Sequence, residues 1–359
     1  ALTSEHEAAP EGFHGALIQV KDTKLALQTI GRCLRAHLSI PLVGITGSVG
    51  KTTTREMVAA ALSAKYKTFK TPANHNSQIG VPLTISEISE NDEIGVLELG
   101  MSEPGEMAVI AEIAAVDSAV MTNIGVTHIE NLGSRENILK EKLHIQDGMK
   151  AGGILFVNGD NDMLSNVHAK AGCHTVRYGL GADNDYRAED LSYPDGFPSF
   201  TMVHGEVRVP VKLTVMGEHN VMNALAALAV ADAYGVPLAD AAEKLLEFGG
   251  FKNRQQIYHK NGYTIVDDTY NASPDSMKAA IGVLSSLPAG RRIAVLADMK
   301  ELGENTIQFH REVGAFLAEK PVDILVVYGE LAQAIAEGAK KVKPDLHVVS
   351  FEEDEKEDM

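Results

Sequence analysis

Between Gly44 and Thr54 the chain reads Gly-Ile-Thr-Gly-Ser-Val-Gly-Lys-Thr-Thr-Thr, an apolar strand that breaks into a glycine-rich turn and opens an alanine-rich helix near Lys51. Glycines let successive backbone N–H groups curl inward onto a polyphosphate, and a helix N-terminus adds partial positive charge. At this spacing Lys51 reaches the outer phosphates and the Thr52 hydroxyl holds Mg²⁺, with Gly47, Gly50 and Thr53 completing the cradle. Ile45 stands where the common phosphate-loop pattern carries a small residue, so a tighter loop anchored on Gly47 and Gly50 is expected. A bare Gly-Lys-Thr also occurs in ordinary turns. The order strand, loop, helix is what points to a nucleotide.

Two further positions could work on that nucleotide. Glu98 sits inside the apolar run Val96-Leu97-Glu98-Leu99, at the C-terminal end of an apolar strand, and a carboxylate there is expensive unless it is used. At the C-terminal edge of an open α/β sheet it would hold Mg²⁺ directly or through water. His128, in Thr122-Asn123-Ile124-Gly125-Val126-Thr127-His128, comes after another strand of the same sheet and is a candidate second metal ligand. Lys142, in the next helix, looks like any helix lysine.

These residues need a scaffold, and the hydrophobic pattern supplies one. Strands are predicted at 41–46, 94–99, 117–122 and 153–157, alternating with helices at 51–64, 104–114 and 135–147, the pattern of a parallel sheet covered on both faces. Residues 186–215 change to short alternating segments that suggest antiparallel strands, and helices come next at about 219–235 and 238–247. Phe248-Gly249-Gly250-Phe251 reads as a hinge. Beyond it a second α/β unit is expected: strand 263–267, helix 274–286, strand 292–297, helix 305–319, strand 323–327, helix 330–341 and strand 346–350. The fold class is therefore α/β, a central phosphate-loop domain built on a mostly parallel sheet, followed by a smaller Rossmann-like domain. The expected division is 1–37, 38–249 and 250–359, the first part too small to bury a core alone.

Composition narrows the function. The 359 residues carry a net charge of −17 with no basic stripe, which argues against a nucleic-acid partner. Part of that charge lies in Glu352–Asp358, read as a solvated tail. Cys33 and Cys173 are the only cysteines and lack metal or disulfide spacing. No apolar run reaches membrane-spanning length and no signal-peptide pattern opens the chain, so a cytoplasmic location without membrane insertion is expected.

GITGSVGKTTT (44–54), NHNSQIGVPLT (74–84), VLELGMSEPGEM (96–107), TNIGVTHIENLGSRENILKEK (122–142), GEHNVMNALAALAVA (217–231) and VDDTYNASPDSMKAAI (266–281) occur in this order. Together they resemble the Mur ligase family over about residues 16–350. The resemblance implies an ATP-dependent, ADP-forming peptide ligase of bacterial peptidoglycan synthesis. Such an enzyme phosphorylates the terminal carboxylate of UDP-N-acetylmuramoyl-tripeptide and lets D-alanyl-D-alanine attack the acyl phosphate. The resemblance also implies a role for each site residue. Lys51 and Thr52 belong to the phosphate loop, and Glu98 and His128 to Mg²⁺, one ion or two. Lys142 carries a carbamate able to bind the second ion. Asn74 and Asn76 lie on the substrate side, where Ser77 departs from the family's usual further Asn. Asn220 and Asn223 lie near the adenine, with His219 beside them. Arg254 reaches the γ-phosphate from the hinge, and Asp268, Tyr270 and Asn271 face the nucleotide from the last domain. A monomer is expected. Residues 1–37 correspond to the end of a UDP-binding domain plus a connecting helix, and the C-terminal domain is expected to be incomplete. The alternatives are a related ligase with another acceptor, or an ATP-binding fragment without activity.

Overall fold

The computed structural model describes residues 1–5 and 11–352. From residue 353 on, the acidic run expected as a tail lies outside the described residues. Two short parallel strands, β1 (Leu2–Thr3) and β2 (Ile18–Gln19), precede the helix Thr23–His37. Asp22 caps that helix by accepting the Leu25 N–H at 2.9 Å. The helix leans on the body through Arg35, which donates to the Ala114 and Ala115 carbonyls and to Asp117, each at 2.9 Å.

The body is one nine-stranded sheet. Its strands are β3 (Leu42–Thr46), β4 (Thr68–Lys70), β5 (Ile94–Glu98), β6 (Ser118–Met121), β7 (Ile154–Asn158), β8 (His174–Gly179), β9 (Tyr186–Ser192), β10 (Ser199–His204) and β11 (Val207–Lys212). Their spatial order is β11-β10-β9-β8-β7-β6-β3-β5-β4. Pairing is parallel from β4 to β9 and antiparallel across β9-β10-β11. Side chains alternate faces along each strand, and β3 shows the result. Val43 and Ile45 join a core beneath the helices Lys51–Leu62, Glu218–Ala233 and Leu238–Leu245, while Leu42 joins the opposite core with Leu97, Met107 and Ile110. The helix Glu218–Ala233 is buried almost all round, because alanines let it lie close to both the sheet and the phosphate-loop helix.

The second unit differs from expectation at its start. Strand β13 (Tyr263–Asp267) does not lead a parallel sheet. It pairs antiparallel with β12 (Gln256–Lys260), a strand the periodicity missed, around the Asn261-Gly262 turn. The parallel sheet holds β14 (Ile293–Ala297), β15 (Ile324–Tyr328) and β16 (His347–Phe351) in that order. Helix Pro274–Ser286 starts where predicted because Ser273 and Ser276 form a reciprocal capping box. The helix expected at 135–147 ends at Leu143 and tightens into a 3₁₀ turn, His144–Gln146. Among the described residues no helix is long and apolar enough to cross a membrane.

Candidate active site

The carboxyl ends of β3, β5 and β6 lie side by side, with Ile45 opposite Glu98 and Thr46 opposite Met121. The segments that leave these three strands therefore meet at one edge of the sheet. The segment after β3 is the glycine-rich loop. Gly50 adopts a left-handed φ of 83° as it opens the helix Lys51–Leu62. At Gly47 a Cβ would lie 1.9 Å from Thr122 Oγ1, so no side chain fits. The loop is held from the segment after β6: Asn123 Oδ1 accepts the Ser48 and Val49 N–H groups at 3.1 and 2.9 Å, and Thr122 Oγ1 donates to the Val49 carbonyl at 2.6 Å. Lys51 Nζ folds back onto the Gly47 and Ser48 carbonyls, at 2.9 and 3.3 Å. Burial pushes its ammonium below the usual lysine range, and Glu98 partly restores it.

Glu98 is buried and doubly held, with Asn76 Nδ2 on one oxygen at 2.8 Å and Arg55 on the other at 3.2 Å. Each carboxylate oxygen has a second lone pair, so capacity for a metal or its water remains. Arg55 is 1% exposed. Besides Glu98 it donates to Glu56 and to the Ala73 carbonyl, and its guanidinium lies 5.9 Å from the Phe251 ring. Sequence reasoning passed over it. An arginine inside a helix reads as a solvated residue, and only its position four residues beyond Lys51 hinted that it faces the loop. Asn123 was likewise missed as a brace, although it comes after a strand in register with β3.

A cleft of about 550 Å³ opens above these residues. Gly50, Lys51, Thr52, Thr53, Asn76, Glu98, His128, Asn220 and Asn223 line it from the body, and Arg254, Asp268 and Asn271 from the C-terminal unit. Asn74 and Lys142 are not among its lining residues. Asn223 Oδ1 accepts from Thr54 at 2.9 Å, Asn223 donates to Asn220, and Asn220 donates to the Met216 carbonyl. The two asparagines thus tie the phosphate-loop helix to the helix Glu218–Ala233 while facing the cleft. Across the opening, the Arg254 guanidinium stacks 4.0 Å from the Tyr270 ring centre, and burial raises the Asp268 carboxyl.

His128 takes a left-handed φ of 64° and opens the short helix Ile129–Leu132. Its Nδ1 bonds the Glu301 carboxylate of the C-terminal unit. Lys142 is 1% exposed, and its ammonium is driven well below the usual lysine range by burial first and by the charge of Lys51 second.

The cleft fits a polyphosphate on three counts. The loop excludes side chains where backbone must approach. A helix begins at its floor. Arg254 Nε and Thr127 Oγ1, both buried and lining the cleft, have no protein partner among the described residues. For a metal, no three His, Cys, Asp or Glu side chains among the described residues converge as a self-sufficient site. Mg²⁺ takes one or two protein ligands and completes its shell with phosphate oxygens and water, and the Thr52 and Glu98 oxygens in the cleft lining are donors of that kind.

The Mur ligase middle-domain model matches residues 45–231, and the model described as Mur ligase, glutamate ligase domain, matches 253–357. The UDP-N-acetylmuramoyl-tripeptide–D-alanyl-D-alanine ligase of Bacillus subtilis (strain 168) is 42% identical over 91% of this chain and 71% of its own length. Among solved structures, MurF of Acinetobacter baumannii superposes with a TM-score of 0.88 at 33% identity, covering 96% of this chain and 74% of that one. MurF ligase of Thermotoga maritima, in complex with ADP, gives 0.83 at 30% identity, covering 98% and 84%.

Proposed function

The chain belongs to the Mur ligase family, and from that premise we propose that it joins D-alanyl-D-alanine to UDP-N-acetylmuramoyl-tripeptide at the expense of ATP. The observation that carries this reading is the shared cleft, with the phosphate loop, Glu98 and His128 on one wall and Arg254, Asp268 and Asn271 on the other. A cleft walled by two units suits a reaction that must exclude water, since hydrolysis of an acyl phosphate would waste the nucleotide. In this reading the enzyme works as a monomer in the bacterial cytoplasm.

Little acid–base chemistry is required of the protein. The tripeptide carboxylate is a poor electrophile until a phosphoryl group turns one of its oxygens into a leaving group. Lys51 and the helix N-terminus stabilise charge on the outer phosphates, and Arg254 meets that charge from the hinge side. Thr52, Glu98 and His128 would hold Mg²⁺, which when bound supplies charge neutralisation. Asn76, bonded to Glu98, and Asn74 two residues before it are assigned to the side on which the peptide substrate enters. Asn220 and Asn223 mark the adenine side, and Asp268 and Asn271 close on the nucleotide.

Lys142 supports a carbamate. Only an uncharged amine adds CO₂, giving the N-carboxylate with loss of one proton, and burial next to Lys51 favours the uncharged form. The product is an anion beside a cation. A carbonyl signal from ¹³C-bicarbonate that is absent in Lys142→Arg would report it; identical spectra for the two proteins would dispose of the adduct.

ADP release should require ATP, Mg²⁺ and both substrates together. Lys51→Ala should lower that turnover at least about a hundredfold, the scale of losing one charge-stabilising group. Release that ignores D-alanyl-D-alanine would overturn the ligase reading.

A further inference from the structure

Glu301 stands in the turn after β14, at a left-handed φ of 61°. It reaches across to the body at two points. Its carboxylate meets His128 Nδ1, and its backbone carbonyl accepts the Glu130 N–H at 3.3 Å. Gly303 closes in behind, where a Cβ would lie only 3.3 Å from Glu130 Cα. The turn is fixed from within its own unit. His310 is fully buried, with Nδ1 donating to the Thr306 carbonyl at 2.7 Å, which leaves Nε2 to accept the Met299 N–H at 3.0 Å. Asp298 Oδ1 accepts the Ala332 N–H at 2.8 Å. A carboxylate on a braced turn is thus brought to an imidazole 173 residues away in sequence.

An ionised carboxylate accepts and cannot donate, so His128 must carry its proton on Nδ1, which leaves the Nε2 lone pair free. We propose that Glu301 is a positioning residue. It fixes His128 in the Nδ1–H tautomer, turns Nε2 into a metal donor, and makes divalent-metal affinity depend on docking of the C-terminal unit. The inference rests on the reading of His128 as a metal ligand. Histidines that bind metals usually donate their other N–H to such a partner, and losing it typically weakens metal binding 10–100-fold. A clasp that served only to hold the two units together would leave metal affinity unchanged.

The test uses the full chain, Mn²⁺ as the probe with ADP present, and resonance detection of free Mn²⁺. Glu301→Ala should weaken Mn²⁺ binding by about 10–100-fold, whereas Glu301→Gln, whose amide oxygen still accepts, should retain most of it. Adding Glu301→Ala to His128→Ala should weaken it no further. Nitrogen-15 spectra of the ring should show Nδ1–H in the parent and a mixture of tautomers in Glu301→Ala. If His128→Ala weakens Mn²⁺ but Glu301→Ala does not, the positioning role is wrong and the ligand reading stands. If His128→Ala has no effect, the ligand reading itself falls. A Glu301→Ala loss that persists in the His128→Ala background would overturn the coupling, and a Glu301→Gln protein that melts like the parent guards against misfolding as the cause.

Discussion

Lys142 and His219 are two basic side chains that the surrounding protein discourages from carrying charge, His219 in the lining of the cleft and Lys142 buried outside that lining. Burial pushes the His219 imidazole down to about 4. Its folded value lies below the unfolded value of about 6.5, so the unfolded chain binds the proton more readily. Its stabilising contribution is complete above about pH 6.5 and is lost as pH falls through about 4, on the order of 2 kcal/mol after allowance for solvent on its open side. His219→Gln should flatten the stability curve across that window in chemical denaturation at stepped pH; curves that stay parallel would rule the histidine out. At this scale the sequence was legible where a residue type is rare in its setting, as with Glu98 inside an apolar run. It was illegible where the type is common. Arg55 looks like any helix arginine until the fold turns it onto Glu98, the Ala73 carbonyl and Phe251.

Among the elements, the segment after β6 does the least expected work, because it braces the phosphate loop as well as leading to His128. Asn123→Ala removes the acceptor of the Val49 N–H, a cost of about 1 kcal/mol. Asn123→Asp keeps an acceptor but places negative charge where phosphates are proposed to sit. The alanine variant should therefore melt lower and bind ADP modestly less well, and the aspartate variant should melt near the parent and bind ADP worst. Calorimetric titration with parallel melting curves checks both, and aspartate binding equal to the parent's would remove phosphate from this spot. Long amphipathic elements were readable because packing and propensity agree in them, helix Pro274–Ser286 with its serine caps above all. Strands β4 and β12 escaped notice for opposite reasons. The first is three residues long, and the second is half exposed, so neither carries the alternation that burial imposes.

At the scale of the molecule, alternation of strand and helix was enough to foresee a parallel sheet and an antiparallel extension, but not the order in which its strands lie. That order puts β3 between β5 and β6, and it alone brings Lys51, Glu98 and His128 to one edge. The hairpin β12-β13 was misread because an apolar strand before a helix looks the same whether it opens a parallel sheet or closes a hairpin. The long-range tie between the phosphate-loop helix and the helix Glu218–Ala233 has a temporal side. The hydrogen bond from Thr54 to Asn223 spans 169 residues. At roughly 5–20 residues per second, a ribosome finishes the phosphate-loop helix roughly 10–30 s before it makes the asparagine that ties it down. During that interval the nascent loop has the glycines and the lysine but not the far side of its cradle, so nucleotide is poorly placed to guide the early steps of folding. A chain stalled short of the helix Glu218–Ala233 would leave the apolar side chains that share its core, Val43, Ile45, Met57 and Val58 among them, as bare surface, a form that chaperones and proteases recognise.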